Sequence, residues 1–240
     1  MYDVTNNGTY LSAAQGIFED LLTGLNATCG GQWWNKEHHH VNSINNELFI
    51  DVAASLGNRV THKRQYYSRY AEDHANWFLN AGLFSKNNTF HDGLHLADCS
   101  AEGTVFSYNQ GVILGALVEL SKLTGNSSWL DSAARTAKGA VSTLVDSNGI
   151  FTETGAFPTH GLTAAQFKGV FARNLAYLQS VRGDASYVTL FTKSAESIWQ
   201  NDRDESGFFG PDWQGPVYST LASAQSSALD CLIAAAAVSL

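Results

Sequence analysis

The sequence predicts an all-α protein built from repeated helical hairpins, and three observations carry that prediction. Val112, Ile113, Leu114, Ala116, Leu117, Val118 and Leu120 form a run that is apolar on nearly every face, with only Glu119 to wet it, as a buried helix requires. Stretches of this kind alternate along the chain with stretches that are apolar on one stripe only. Aromatic residues recur at Tyr10, Tyr66, Trp129 and Tyr187, spaced by 56, 63 and 58 residues, which is an internal repeat. No segment shows sustained strand alternation.

Taken in order, the amphipathic helices are expected at Tyr10–Leu22, Lys63–Ala81, Ser128–Leu144 and Ser186–Gln200. Trp129, Ala133, Ala137, Val141 and Leu144 mark the stripe of the third, and Ser128 with Asp131 reads as a capping box at its start. The mostly apolar helices are expected at Ile44–Leu56, Asn109–Leu123, Thr163–Val181 and Ser223–Leu240, with Thr163 and Gln166 as a second capping pattern. Connections from apolar to amphipathic helix are short (Gly57–His62, Thr124–Ser127, Arg182–Ala185). Those in the other direction are long (Thr23–Ser43, Gly82–Tyr108, Val145–Leu162, Asn201–Ala222). Alternation of this kind predicts a toroid, apolar helices inside and amphipathic ones outside. The long loops would then gather over the inner helix N-termini, and loops of that length usually carry function.

The composition narrows the function classes. A chain of 240 residues with 44% hydrophobic and 15% charged residues is globular, and 1–240 is read as a single domain. A net charge of −8, with no basic cluster, argues against nucleic acid. No apolar run reaches the ~20 residues of a membrane span. The first residues lack the basic and apolar regions of a signal peptide. Asn7, Asn26, Asn87 and Asn126 nevertheless head Asn-x-Ser/Thr sequons, which have meaning in a secreted protein, so the expectation is that the true N-terminus lies upstream. Cys29 and Cys99 both lie in loops and are able to pair, whereas Cys231 reads as a small buried hydrophobe. No metal-site spacing and no cofactor motif is present, and His38–His40 reads as a solvated loop.

The long loops supply the candidate site. Trp33, Trp34 and Trp213 suit stacking on sugar rings, whose C–H faces match aromatic faces. Asn46, Glu47, Asp92, Tyr108, Gln110, Lys168 and Arg173 offer groups for sugar hydroxyls. Each has a plainer role as well. Single tryptophans usually pack, Asn46 and Glu47 are placed to cap a helix, Asp92 before Gly93 is a turn residue, and Lys168 or Arg173 is expected to pair with a carboxylate.

Five motifs together resemble family 76 of the glycoside hydrolases, endo-α-1,6-mannanases with a fungal cell-wall branch. They are Cys29-Gly-Gly-Gln-Trp-Trp-Asn35, Asn42-Ser-Ile-Asn-Asn-Glu-Leu-Phe49, Phe106-Ser-Tyr-Asn-Gln-Gly111, the stretch from Gln166 to Leu178, and Gln225-Ser-Ser-Ala-Leu-Asp230. The resemblance implies an (α/α)6 toroid of six hairpins, a retaining mechanism on two consecutive aspartates, mannan or a mannose-containing oligosaccharide as partner, and a secreted or cell-wall location. The sequence has no Asp-Asp. The segment from Tyr2 to Leu11 resembles the end of the helix that carries that pair in the family, so the pair is expected upstream of Met1. Eight of twelve helices, or four of six hairpins, are then present, and this chain alone is expected to be inactive. His95 and His160 stand where the family suggests more polar or acidic residues. Exposed flanks of the inner helices are expected to favour self-association. The rivals are a non-catalytic glycan-binding relative, an α-solenoid that binds protein, and a terpene-cyclase-like toroid, whose Asp-rich metal motifs are absent.

Overall fold

The structure is a computed structural model, and it describes residues 1–153, 158–159 and 161–238. His160 and the C-terminal end of the last expected helix lie outside the described residues. The α-helices are α1 (Tyr2–Thr5), α2 (Gly8–Leu22), α3 (Ser43–Arg59), α4 (Arg64–Asn80), α5 (Ser107–Thr124), α6 (Ser128–Leu144), α7 (Phe167–Val181), α8 (Ala185–Asn201) and α9 (Ala222–Val238). All eight expected helices are present among the described residues, within a few residues at each end. One-turn α1 is additional. Where Thr163 and Gln166 read as a cap, the chain instead makes a 3-10 turn over Leu162–Gln166, and α7 begins at Phe167. Phe167 packs on Phe106 and Tyr108, with ring centroids 5.5 and 4.2 Å away, which anchors that start.

The Ser128–Asp131 expectation is also corrected in detail. The cap of α6 comes from two residues earlier, where Asn126 Oδ1 accepts from Ser128 N at 3.0 Å. Asn7 does the same for Thr9 N ahead of α2, and Asp184 for Ser186 N ahead of α8. Each satisfies a backbone N–H that has no partner within the helix. The repeat visible as a hydroxyl residue followed by an aromatic is therefore an Asx-x-Ser/Thr-aromatic cap. Before α4 no Asx residue is available, and a 3-10 turn at Thr61–Lys63 replaces it.

The repeat recurs at the other end of the amphipathic helices. Single β-bridges join Leu25 to Gln32, Phe84 to Phe90, Val145 to Phe151 and Arg203 to Phe209, a period near 60 residues. Each closes a tight turn at the head of a long loop. In the third turn Asp146 Oδ1 accepts from Asn148 N and Ile150 N, and in the fourth Asp204 Oδ1 accepts from Phe208 N.

The chain divides into two compact units. One comprises residues 1–85, 90–103 and 116–131, the other residues 86–89, 104–115 and 132–240. In the first, α3 and α4 pack closely, and Gly57 sits where a Cβ would meet the Leu123 side chain at 2.6 Å. Phe18, Phe49, Tyr67 and Phe78 fill its core. Its long loops add a small antiparallel sheet, β1 (Val41–Asn42), β2 (Gly93–Leu94) and β3 (Ala101–Glu102), in that order. Cys29 and Cys99 form a disulfide across 70 residues, Cα atoms 5.5 Å apart, and Cys231 is buried and free. In the second unit α7 packs on α9, and in its core Phe151 stacks on Phe171 with Trp213 tilted against Phe151.

Helix α5 contributes its first half to one unit and its second half to the other, and Val112–Leu120 is buried throughout. Glu119 does not wet the helix. It is buried and held by Arg59 Nη1 at 2.9 Å and Asn58 Nδ2 at 3.0 Å, as a carboxylate out of water must be. Large apolar side chains stand exposed on α2 and α3 (Tyr10, Ile17, Leu48) and on α9 (Leu229, Ile233). Among the described residues, no helix is long and apolar enough to cross a membrane.

Candidate functional site

In the first unit the site grows from Asn46, on the first turns of α3. Its side chain is fully buried and fully used. Oδ1 accepts from Gln32 N at 2.8 Å and lies 2.8 Å from His74 Nε2, while Nδ2 donates to Asn42 O at 2.7 Å and Gln32 O at 3.4 Å. Burial pushes the His74 imidazole down to about 4, so above that pH it is neutral and Nε2–H donates to Asn46. The amide thus clamps the loop bearing Gln32, Trp33 and Trp34 onto α3.

The same clamp explains two glycines. Gly30 and Gly31 have φ of 79° and 71°, and a Cβ on Gly31 would lie 2.2 Å from the Trp77 ring and 2.6 Å from Asn46 Oδ1. Trp77 Nε1 donates to Cys29 O at 3.2 Å, and the Cys29–Cys99 disulfide ties that stretch to the loop carrying Asp92. Asp92 is in turn held by Asn42, whose Nδ2 donates to Oδ2 at 3.1 Å, and its carbonyl accepts from Ser43 N at 2.7 Å.

Over these groups lies an open cavity of about 380 Å³, lined by Trp34, His40, Asn42, Asp92 and Glu102 among others. Trp34 is 53% exposed at this cavity, whereas Trp33 is half-buried and stacked on His38, centroids 5.0 Å apart. Glu47 lies behind, wholly buried, and neither carboxyl oxygen has a hydrogen-bond partner among the described residues. Burial raises its carboxyl well above the usual range, and the Asp92 charge raises it further.

In the second unit the polar cluster is charged. Lys168, on the first turn of α7, is buried, donates from Nζ to Pro211 O at 2.7 Å and lies 5.2 Å from the centre of the Trp213 ring. Burial lowers its ammonium, while Glu153, Asp212 and Asp202 draw it back up. Asp202 is buried after α8. Burial pushes its carboxyl up to about 7, against Lys168 and the Gly210 N–H that donates to Oδ1 at 3.1 Å. Glu153 accepts from both the backbone N and the hydroxyl of Ser107 at the start of α5. Tyr108 is half-buried beside Phe106 and Phe167, and Gln110 is buried with Nε2 on Phe106 O at 2.9 Å.

The predicted residues therefore separate. Asn46, Glu47 and Asp92 come together beside the Trp34 cavity. Lys168 and Trp213 come together in the second unit, where Trp213 is 1% exposed and offers no open face. Arg173 instead pairs with Asp230 across α7 and α9 at 3.2 Å. No group of three metal-ligating side chains occurs among the described residues. Asn42, His74, Trp77, Glu102, Ser107 and Asp202 escaped the sequence reading. His74 carried a signal, a lone imidazole on the otherwise apolar buried stripe Tyr67, Ala71, Ala75 and Phe78 of α4. Asn42 opens one of the motifs but its pairing with Asp92 left no trace in the chain, and Glu102 carried no signal, because only the small sheet brings their loops together.

A relative from Saccharomyces cerevisiae named mannan endo-1,6-alpha-mannosidase DCW1 is 30% identical over 136 residues, 52% of this chain and 30% of that protein. The chain spans between 29% and 40% of the length of the curated fungal relatives it matches. Among solved structures, the Lin0763 protein from Listeria innocua superposes with a TM-score of 0.88 at 28% identity, covering 99% of this chain and 68% of that one. An inactive variant of the α-1,6-mannanase GH76A from Salegentibacter, with two consecutive aspartates replaced by alanine and in complex with α-1,6-mannotetrose, superposes at 0.85. It is 21% identical, with 99% of this chain and 71% of that one covered. The profile of glycosyl hydrolase family 76 matches residues 1–239, and the chain belongs to that family.

Proposed function

We propose that this chain binds α-1,6-linked mannan as part of an endo-α-1,6-mannosidase fold, and that its 240 residues alone bind without cleaving. The family match along residues 1–239 carries the reading, and the mannotetrose held by an inactive relative supports the ligand class. Trp34 supplies the stacking face, and Asn42, Asp92 and Glu102 supply acceptors and donors for hydroxyls at the same cavity. Asn46 acts behind it by holding the loops, Trp33 packs on His38, and Glu47 remains a proposed contributor from its buried position. Tyr108, Gln110, Lys168, Arg173 and Trp213 remain proposed contributors to sugar binding.

Retaining hydrolysis needs two carboxyl groups ~5–5.5 Å apart, one to attack the anomeric carbon and one to move the proton. The family's Asp-Asp is not among these residues. Among the carboxylates named above, Glu47 is buried with its carboxyl raised well above the usual range, Asp92 is engaged by Asn42 and Glu153 is engaged by Ser107. The disulfide fits an oxidising compartment, which supports a secreted or cell-wall location.

Titration of the purified chain with an α-1,6-linked mannotetraose in a calorimeter, with reducing ends assayed in parallel, tests this. Binding with no release of reducing ends is expected, and Trp34→Ala weakens it about tenfold, or 1.4 kcal/mol. Cleavage by the 240-residue chain overturns the inactive reading, and binding indifferent to Trp34 overturns the proposed platform.

A further inference from the structure

Three helices open on the same cap, and comparing the copies isolates something the cap does not require. Asn7, Asn126 and Asp184 each accept, through Oδ1, the N–H two residues on, at 3.0, 3.0 and 2.9 Å. An amide and a carboxylate oxygen serve equally in this role, and the helix dipole favours the carboxylate. At Asp184 the carboxylate also faces Lys138, at 3.8 Å. At Asn7 and Asn126 the side chains are exposed and Nδ2 donates to no acceptor among the described residues. The amide nitrogen is the one feature that capping leaves unexplained.

Both asparagines head acceptor tripeptides, Asn7-Gly-Thr and Asn126-Ser-Ser, whose third residues are exposed. Asn7 precedes α2 at the end away from the long loop that α2 feeds. Asn126 lies in the short turn between α5 and α6. Neither lines the Trp34 cavity. The other two sequons are set differently. Asn26 has φ of 64° inside the turn closed by the Leu25–Gln32 bridge, and Thr89, third residue of the Asn87 sequon, is buried.

We propose that Asn7 and Asn126 are N-glycan acceptors, an inference that rests on the secreted reading given above. In the transfer, Nδ2 attacks the anomeric carbon of an oligosaccharide carried on a polyprenyl diphosphate. The C–N bond forms as the C–O bond to the diphosphate breaks, the polyprenyl diphosphate leaves, and one amide proton is lost to a base of the transferase. Oδ1 keeps its lone pairs, so both caps survive modification.

The test is to secrete the full chain from a eukaryotic host, release N-glycans enzymatically in heavy-oxygen water and map the peptides. Thr9→Ala and Ser128→Ala serve as variants because they destroy the acceptor tripeptides but keep the asparagines and the capped backbone N–H groups. Heavy aspartate is expected at positions 7 and 126 of the parent, each lost in its own variant, with Tm and mannotetraose binding unchanged. Secreted chain with the Cys29–Cys99 bond closed but both positions bare overturns the proposal. Positions labelled in that host yet bare in protein from the natural source overturn the secreted reading alone and uphold the acceptor geometry.

Discussion

Asn46 on α3 and Lys168 on α7 occupy similar stations, each buried near the start of a mostly apolar helix and each holding a long loop, yet they do so by different physics. Asn46 uses two lone pairs and two N–H groups against neutral partners, and every one is engaged. Lys168 uses a charge, and a charge out of water brings others with it. Glu153, Asp202 and Asp212 surround it, and Asp202 Oδ2, Trp213 Nε1 and Gln214 Oε1 have no hydrogen-bond partner among the described residues. The neutral network is complete at Asn46 itself, although Gln32 Oε1, Asn45 Oδ1 and both Glu47 oxygens beside it have no hydrogen-bond partner among the described residues. A charged one makes the loop it holds sensitive to pH.

The largest effect is expected at the neutral clamp. Gly31→Ala forces an L side chain into positive φ and into both Trp77 and Asn46, and a loss of more than about 4 kcal/mol is expected in chemical unfolding. A change below about 1 kcal/mol would break the picture of a tightly closed network.

Asp202→Asn sharpens the charged side of the comparison. The folded pKa of about 7 lies above the unfolded carboxylate value near 4, so the folded state holds its proton longer. Asp202 therefore favours the folded state below about pH 4, and that contribution is lost as pH rises to about 7. The substituted amide would keep an acceptor for the Gly210 N–H without the charge. The pKa of about 7 already includes the attraction to Lys168, so the variant is expected to be more stable by up to about 4 kcal/mol at pH 8 and equal within error at pH 4. Melting curves at both pH values decide it, and a pH-independent difference would refute the assignment. His74 gives the neutral clamp an opposite dependence. Its folded pKa near 4 lies below the unfolded value near 6.5, so stability present above about 6.5 is lost as pH falls toward 4.

The smallest effect on stability belongs to Trp34→Ala. A ring 53% exposed contributes little to folding, so less than about 0.5 kcal/mol is expected even as sugar binding weakens. A large destabilisation would make Trp34 a packing residue and remove it from the site.

By itself the sequence determined the helices. Periodicity and apolar content are local, so the runs at Val112–Leu120 and along α6 announce their structure without help from distant residues. The sequence also carried the period, through aromatics that recur once per hairpin, and the family, through motifs spread along the chain. It named Asn46, Glu47 and Asp92 as polar groups near helix starts but could not tell clamp from contact. That distinction depends on whether a side chain faces solvent. Trp33 and Trp34 are adjacent and identical in type, yet one stacks on His38 and the other stands open. Only the tertiary structure decided this, because it places His74 and Trp77 of α4 beneath a loop more than 30 residues earlier and closes Cys29 on Cys99. Contacts across such distances leave no periodicity in the chain, and burial, which raised the Glu47 carboxyl above the usual range and turned Trp213 into core, is a property of the assembled fold.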